Sequence, residues 1–140
     1  MIVVCPNCSA ANRLDAARAH DEPVCGKCGT ALLDGKPVAI DDARFERFVT
    51  RNELPVVVDF WAAWCGPCHA MASQFEQAAR KLKGDAVLAK VDSDASPAAS
   101  SRLGIRSIPT LVLFRNGKEV KRQSGAVQAA QIVAWVKAAA

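Results

Sequence analysis

All six cysteines of this 140-residue chain fall in three Cys-x-x-Cys pairs: Cys5/Cys8, Cys25/Cys28 and Cys65/Cys68. By spacing alone, each pair serves equally as half of a four-thiolate metal site or as a reactive dithiol. Sixteen residues separate the first two pairs, which is the two-knuckle spacing of a tetrahedral zinc site. Gly26 and Gly29 allow the second knuckle to turn its amides toward sulfur. Two disulfides, or a relay of electrons to the third pair, are the competing readings of these four thiols. Zinc on Cys5, Cys8, Cys25 and Cys28 has every position filled by protein, so its expected role is structural and His20 is a bystander.

The third pair then has no second pair to join. Cys65 follows an apolar run, Pro55 to Trp61, and opens a helical pattern in which Met71, Phe75, Ala78 and Leu82 share one face. Unpaired amides and the helix dipole stabilise a thiolate at such a position, and the thiolate is the nucleophile. Cys68 lies one helical turn on, within reach of the same substrate sulfur. Pro67 falls where a missing N–H is harmless, and Gly66 leaves room for a second polypeptide. The expected chemistry is attack by Cys65 followed by resolution of the mixed disulfide by Cys68.

Asp59 interrupts an otherwise apolar strand. Val56, Val58 and Phe60 on one face and Val57 and Trp61 on the other bury it whichever way it points. A buried carboxyl titrates high, which suits proton exchange near neutrality. A structural aspartate paired with Lys90 on a neighbouring strand is the alternative, and both can hold at once.

The elements that must position these residues follow from periodicity and punctuation. Residues 1–34 form a four-cysteine module too short to bury its own core, and the segment bracketed by its two cysteine pairs is polar, with Leu14 and Val24 its large apolar residues. Asp34-Gly35-Lys36-Pro37 reads as a turn and boundary, and residues 37–140 form the second domain. There the order is strand (38–40), helix capped by Asp41 or Asp42 with Phe45, Phe48 and Val49 inward, and strand (55–61). Then come helix (65–82) closed near Gly84, strand (86–91) and a short helix opened by Ser96-Pro97. Strands 110–115 and 118–123 flank the hairpin signal Asn116-Gly117, and a last helix spans about 128–139. This predicts an α/β fold with a mixed central sheet and helices on both faces.

Charge and hydropathy exclude other classes. Residues 1–36 carry four basic and four acidic side chains, leaving fourteen basic and ten acidic for the rest, so no segment concentrates positive charge as a nucleic-acid module does. The apolar runs 55–63 and 108–114 are far too short to span a membrane. Met1 to Val4 does not make a secretion signal, so the expected location is a reducing cytoplasm and the expected state a monomer.

Val-Asp-Phe-Trp-Ala-Ala-Trp-Cys-Gly-Pro-Cys (58–68), Gly-Ile-Arg-Ser-Ile-Pro-Thr (104–110), Phe114, Asn116-Gly117 and Gly125 resemble the thioredoxin family, over residues 37–140. With the two N-terminal pairs, the whole chain resembles the family's zinc-containing bacterial thioredoxin 2 type. The resemblance implies a thioredoxin fold and a protein-disulfide reductase recharged by an NADPH-dependent thioredoxin reductase. It makes Asp59 a buried proton acceptor beside Lys90 and Pro109 a cis proline that sets the Ile108 backbone against the dithiol. Trp61, Trp64, Gly66, Pro67 and Gly125 then belong to a docking surface for disulfide-containing proteins. Two positions depart from the family. Ser73 replaces the usual helix-kinking proline, and His69 replaces a usual Lys or Arg. His69 is a type of side chain that changes charge near neutral pH and would tune the thiols, or else is an exposed helical residue of little effect. Two other functions compete with reduction. One is a zinc-ribbon binding module that uses the second domain as a docking platform. The other is a disulfide oxidase or isomerase, which Gly-Pro between the cysteines disfavours.

Overall fold

The computed structural model describes residues 1–139; residue 140, the end of the expected second domain, lies outside the described residues. Strands β1 (Ile2–Val4) and β2 (Ala11–Arg13) pair antiparallel, and a single 3-10 turn follows at Ala16–Arg18. Next come β3 (Val38–Ala39), α1 (Asp42–Arg51), β4 (Val56–Trp61), α2 (Gly66–Lys81), β5 (Val87–Asp92) and α3 (Pro97–Arg102). The chain closes with β6 (Thr110–Arg115), β7 (Lys118–Ser124) and α4 (Ala129–Lys137). The five-stranded sheet runs β3-β5-β4-β6-β7, with β3, β5 and β4 parallel and β6 and β7 antiparallel. This is the thioredoxin fold, a mixed sheet between helices.

β4 is central, as a strand apolar on both faces apart from Asp59 requires. Its alternation divides the core into two layers. Val56, Val58 and Phe60 join Phe45, Phe48 and Val49 of α1, whereas Val57 joins Met71 and Phe75 of α2 and Ile132 and Val136 of α4. Asp41 caps α1 by accepting from Arg44 N, and Ser96 and Pro97 open α3. Asn116 and Gly117 both take positive φ (55° and 78°), the pairing that a two-residue hairpin turn demands. Across Ser73, α2 continues as one helix.

The N-terminal segment buries its apolar residues against the rest of the chain. Val24 is 61% exposed, and the buried apolar residues of the segment are Val3, Val4, Ala19, Leu32 and Leu33. They enter the same cluster as Phe45, Phe48 and Val49, together with Cys5 and Cys25. A segment without a core of its own is thus packed on α1. Polar contacts fix the pose. Asn52 Oδ1 accepts from Val4 N at 2.9 Å, Glu53 Oε1 from Ile2 N at 2.6 Å, and Arg47 Nε donates to Ser9 O at 2.7 Å. Arg44 reaches the Pro6 carbonyl and donates to Ser9 Oγ at 3.3 Å.

Candidate functional site: a dithiol and a four-thiolate cluster

β4 ends at Trp61, the chain turns through Ala62-Ala63-Trp64, and Cys65 becomes the N-cap residue of α2. There its Sγ accepts from Cys68 N at 3.2 Å, the contact that favours a thiolate at a helix start. Cys65 and Cys68 form a disulfide with Cα atoms 5.3 Å apart, and both residues are buried. The peptide bond Ile108–Pro109 is cis, and the Ile108 carbonyl oxygen lies 3.8 Å from Cys65 Sγ. Gly125, at φ 92°, donates its N–H to the Pro109 carbonyl at 2.9 Å, which ties the end of β7 to this loop. Apart from its chain neighbours and its own helix backbone, no atom lies within 4 Å of where a Cβ at Gly66 would stand. Pro67 occupies the first turn of α2. Trp64, 71% exposed, closes one side and donates its indole N–H to Asp94 Oδ2 at 2.8 Å. A shallow groove runs on from Trp64 past Ser101, Ile105, Arg106 and Ile108. Nothing in the sequence marks Asp94, because only tertiary proximity links it to Trp64, thirty residues away.

In the middle of β4, Asp59 is 1% exposed and neither carboxylate oxygen has a hydrogen-bond partner. Burial lifts its carboxyl to about 7, against the opposing pull of the Lys90 ammonium. Asp59 and Lys90 are register partners across β4 and β5, but Lys90 Nζ sits over the Trp61 ring, 4.8 Å from its centroid. Trp61 is half-buried and packs against the cluster of Ala62, Cys65 and Cys68.

The other four cysteines are free thiols whose Sγ atoms all lie within 4.8 Å of one another. Cys5–Cys28 and Cys8–Cys25 are 3.6 and 3.7 Å apart, close to the roughly 3.8 Å edge of a tetrahedron built on 2.3 Å zinc–sulfur bonds. Donors surround them. Asn7 N and Cys8 N point at Cys5 Sγ, and Lys27 N and Asn12 Nδ2 at Cys25 Sγ, each at 3.4 Å. Hydrogen bonds from Asn12 and from Thr30 hold Cys25 and Cys28 below the ordinary thiol range, Cys28 at about 6, whereas burial pushes Cys5 to about 11. This donor set suits a soft cation that takes thiolates. His20 stands apart, with Nε2 3.5 Å from Asp85 Oδ1.

Comparison with known proteins agrees with this geometry. The thioredoxin family profile matches residues 36–138, and a zinc-ribbon profile described as thioredoxin 2, N-terminal, matches residues 4–30. Thioredoxin C-3 of Corynebacterium nephridii is 42% identical over 136 residues, covering 97% of this chain and 93% of that protein. Thioredoxin 1 of Synechococcus elongatus is 43% identical over 89 residues, 64% of this chain and 83% of its own length. The crystal structure of chloroplastic thioredoxin z superposes with a TM-score of 0.69 at 34% identity, covering 74% of this chain and 94% of that one. A disulfide at the head of α2 beside a cis proline, on this sheet and behind this four-cysteine segment, places the chain in the thioredoxin family, of the thioredoxin 2 type, with the chemistry of a thiol–disulfide oxidoreductase.

Proposed function

We propose that the chain reduces disulfides of other proteins in a reducing cytoplasm, using Cys65 as nucleophile and Cys68 as resolving thiol. The observation that carries this reading is Cys65 as N-cap of α2, with its Sγ bonded to Cys68 N and 3.8 Å from the Ile108 carbonyl. The Cys65 thiolate attacks one substrate sulfur, the substrate S–S bond breaks, and the other substrate sulfur leaves as a thiolate. Cys68, deprotonated by Asp59, then attacks Cys65 Sγ. The mixed disulfide breaks, the second substrate thiolate leaves, and Cys65–Cys68 is left oxidised. Two electrons pass to the substrate, and an NADPH-dependent thioredoxin reductase returns two. Lys90 tempers the Asp59 carboxyl. Ile108 and Pro109 present backbone for a substrate strand to pair with, while Trp64, Gly66, Pro67 and Gly125 form the docking face and Trp61 supports it.

In the same reading, residues 1–34 are a zinc module and residues 37–140 the redox domain. Cys5, Cys8, Cys25 and Cys28 hold one Zn²⁺, and the ion supplies folding free energy, with no open position for catalysis. The protein acts as a monomer without nucleic acid or membrane; no helix among the described residues is long and apolar enough to cross a bilayer.

The test is dithiothreitol-driven reduction of insulin. Cys65→Ser abolishes it, and Cys68→Ser accumulates mixed disulfides with substrate. Full activity in Cys65→Ser would overturn the reading.

A further inference from the structure

The redox reading leaves His69 unused. Its side chain is exposed on α2, one residue beyond Cys68, and reaches back across the turn so that Nε2 lies 2.6 Å from the Ala63 carbonyl oxygen. Ala63 stands two residues before Cys65. The same imidazole meets Trp61 nearly edge-on, with ring centroids 6.1 Å apart and planes at 78°. Lys90 holds that indole from elsewhere, 4.8 Å from its centroid. One side chain of α2 therefore grips two points of the short segment that carries the backbone from β4 to the nucleophile.

We propose that His69 is a positioning residue for the dithiol, holding the Ala63–Trp64–Cys65 segment against α2 through the Ala63 carbonyl and the Trp61 ring. The inference rests on the reductase reading. Few other bonds hold the segment: Cys65 N donates to Ala62 O at 3.1 Å, and the Trp64 indole to Asp94. Ala63 and Trp64 are exposed, so packing does not fix their peptide planes. Yet Cys65 Sγ must stay on Cys68 N, and displacements near 1 Å at a reacting atom are expensive in rate. With a carbonyl as partner, Nε2 is the nitrogen that carries hydrogen, in the neutral and the charged ring alike. The brace therefore needs a donor at this place, whatever the charge of the ring.

That requirement makes the proposal testable in the full-length chain. Wild type, His69→Ala and His69→Gln are fully reduced and mixed with insulin, and the second-order rate of disulfide reduction is followed. Cys65 thiolate formation is titrated by ultraviolet absorbance in parallel. His69→Ala is expected to react about fivefold more slowly, the equivalent of one hydrogen bond, with its titration midpoint moved upward. His69→Gln, whose amide can donate to Ala63, is expected within about twofold of wild type. An alanine variant matching wild type in both measurements overturns the proposal, as does a glutamine variant as impaired as alanine. If wild type fails to reduce insulin, the reductase reading falls separately, and the titration still decides whether His69 positions Cys65.

Discussion

Asp59 and Lys90 face each other across β4 and β5, but the lysine ammonium lies over Trp61 and no hydrogen bond reaches either carboxylate oxygen. Asp59 is thus buried next to a cation without being satisfied by it, and its carboxyl rises from 3.8 to about 7. Between about pH 4 and pH 7 the native carboxyl keeps a proton that the unfolded chain has released, so stability declines as pH rises through that window and levels off above it. Asp59→Asn removes this dependence. The stability gained over wild type in urea unfolding should be about 3 kcal/mol larger at pH 8 than at pH 5, at about 1.4 kcal/mol per pH unit. Equal gains at both pH values would contradict the buried, unpaired carboxyl. On the proposed reading of Asp59 as the proton acceptor for Cys68, the same variant should also lengthen the life of mixed disulfides.

The bond from Trp64 to Asp94 makes a second prediction. The indole is exposed, so its orientation beside the dithiol rests on that one contact. Asp94→Ala should leave the melting temperature nearly unchanged while raising KM for a protein disulfide about fivefold, the effect of about 1 kcal/mol. A larger loss of kcat than of affinity would show that Asp94 does more than orient Trp64.

Asn12 touches both knuckles of the four-thiolate cluster. Its Nδ2 lies 3.1 Å from Ala10 O and 3.4 Å from Cys25 Sγ, and its Oδ1 accepts from Gly26 N at 2.9 Å. Partners of this kind commonly change metal affinity 10- to 100-fold, in round terms. In chelator competition, zinc affinity should fall about tenfold for Asn12→Ala and further for Asn12→Asp, which keeps the Gly26 bond but adds negative charge beside thiolates. Aspartate matching asparagine would refute a donor role.

Asn52 joins the N-terminal segment to α1. It is 1% exposed, accepts from Val4 N and donates to the Phe48 carbonyl at 2.9 Å. Asn52→Ala strands a buried amide and should lower unfolding free energy by about 2–3 kcal/mol. A change below about 0.5 kcal/mol would mean that the segment is only loosely seated.

Much of this was legible in the chain itself. Two features assigned β4 to the centre of the sheet and Cys65 to a helix start: residues apolar on both strand faces, and a 3.6-residue stripe after Gly66-Pro67. Both are local periodicities and report burial directly. Sixteen residues between two Cys-x-x-Cys pairs pointed to one cluster of four thiols, and their Sγ atoms do converge. Asp59 was readable as buried because no face of its strand is polar.

The remainder depended on residues far apart in sequence. Val3, Val4, Leu32 and Leu33 lie outside the segment between the cysteine pairs, and only the cluster they share with Phe45, Phe48 and Val49 makes a core of them. Lys90 was placed opposite Asp59, but whether its ammonium turned to the carboxylate or to the Trp61 ring was a choice of rotamer made by packing. The reach of His69 to Ala63 and of Trp64 to Asp94 likewise follows from how β4, α2 and the loop after β5 meet. The sequence by itself determined the fold, the reactive pair and the four clustered thiols, because spacing and periodicity encode them locally. Only the tertiary structure decided how the dithiol is braced and where the N-terminal segment rests, because those contacts arise between elements that no local pattern connects.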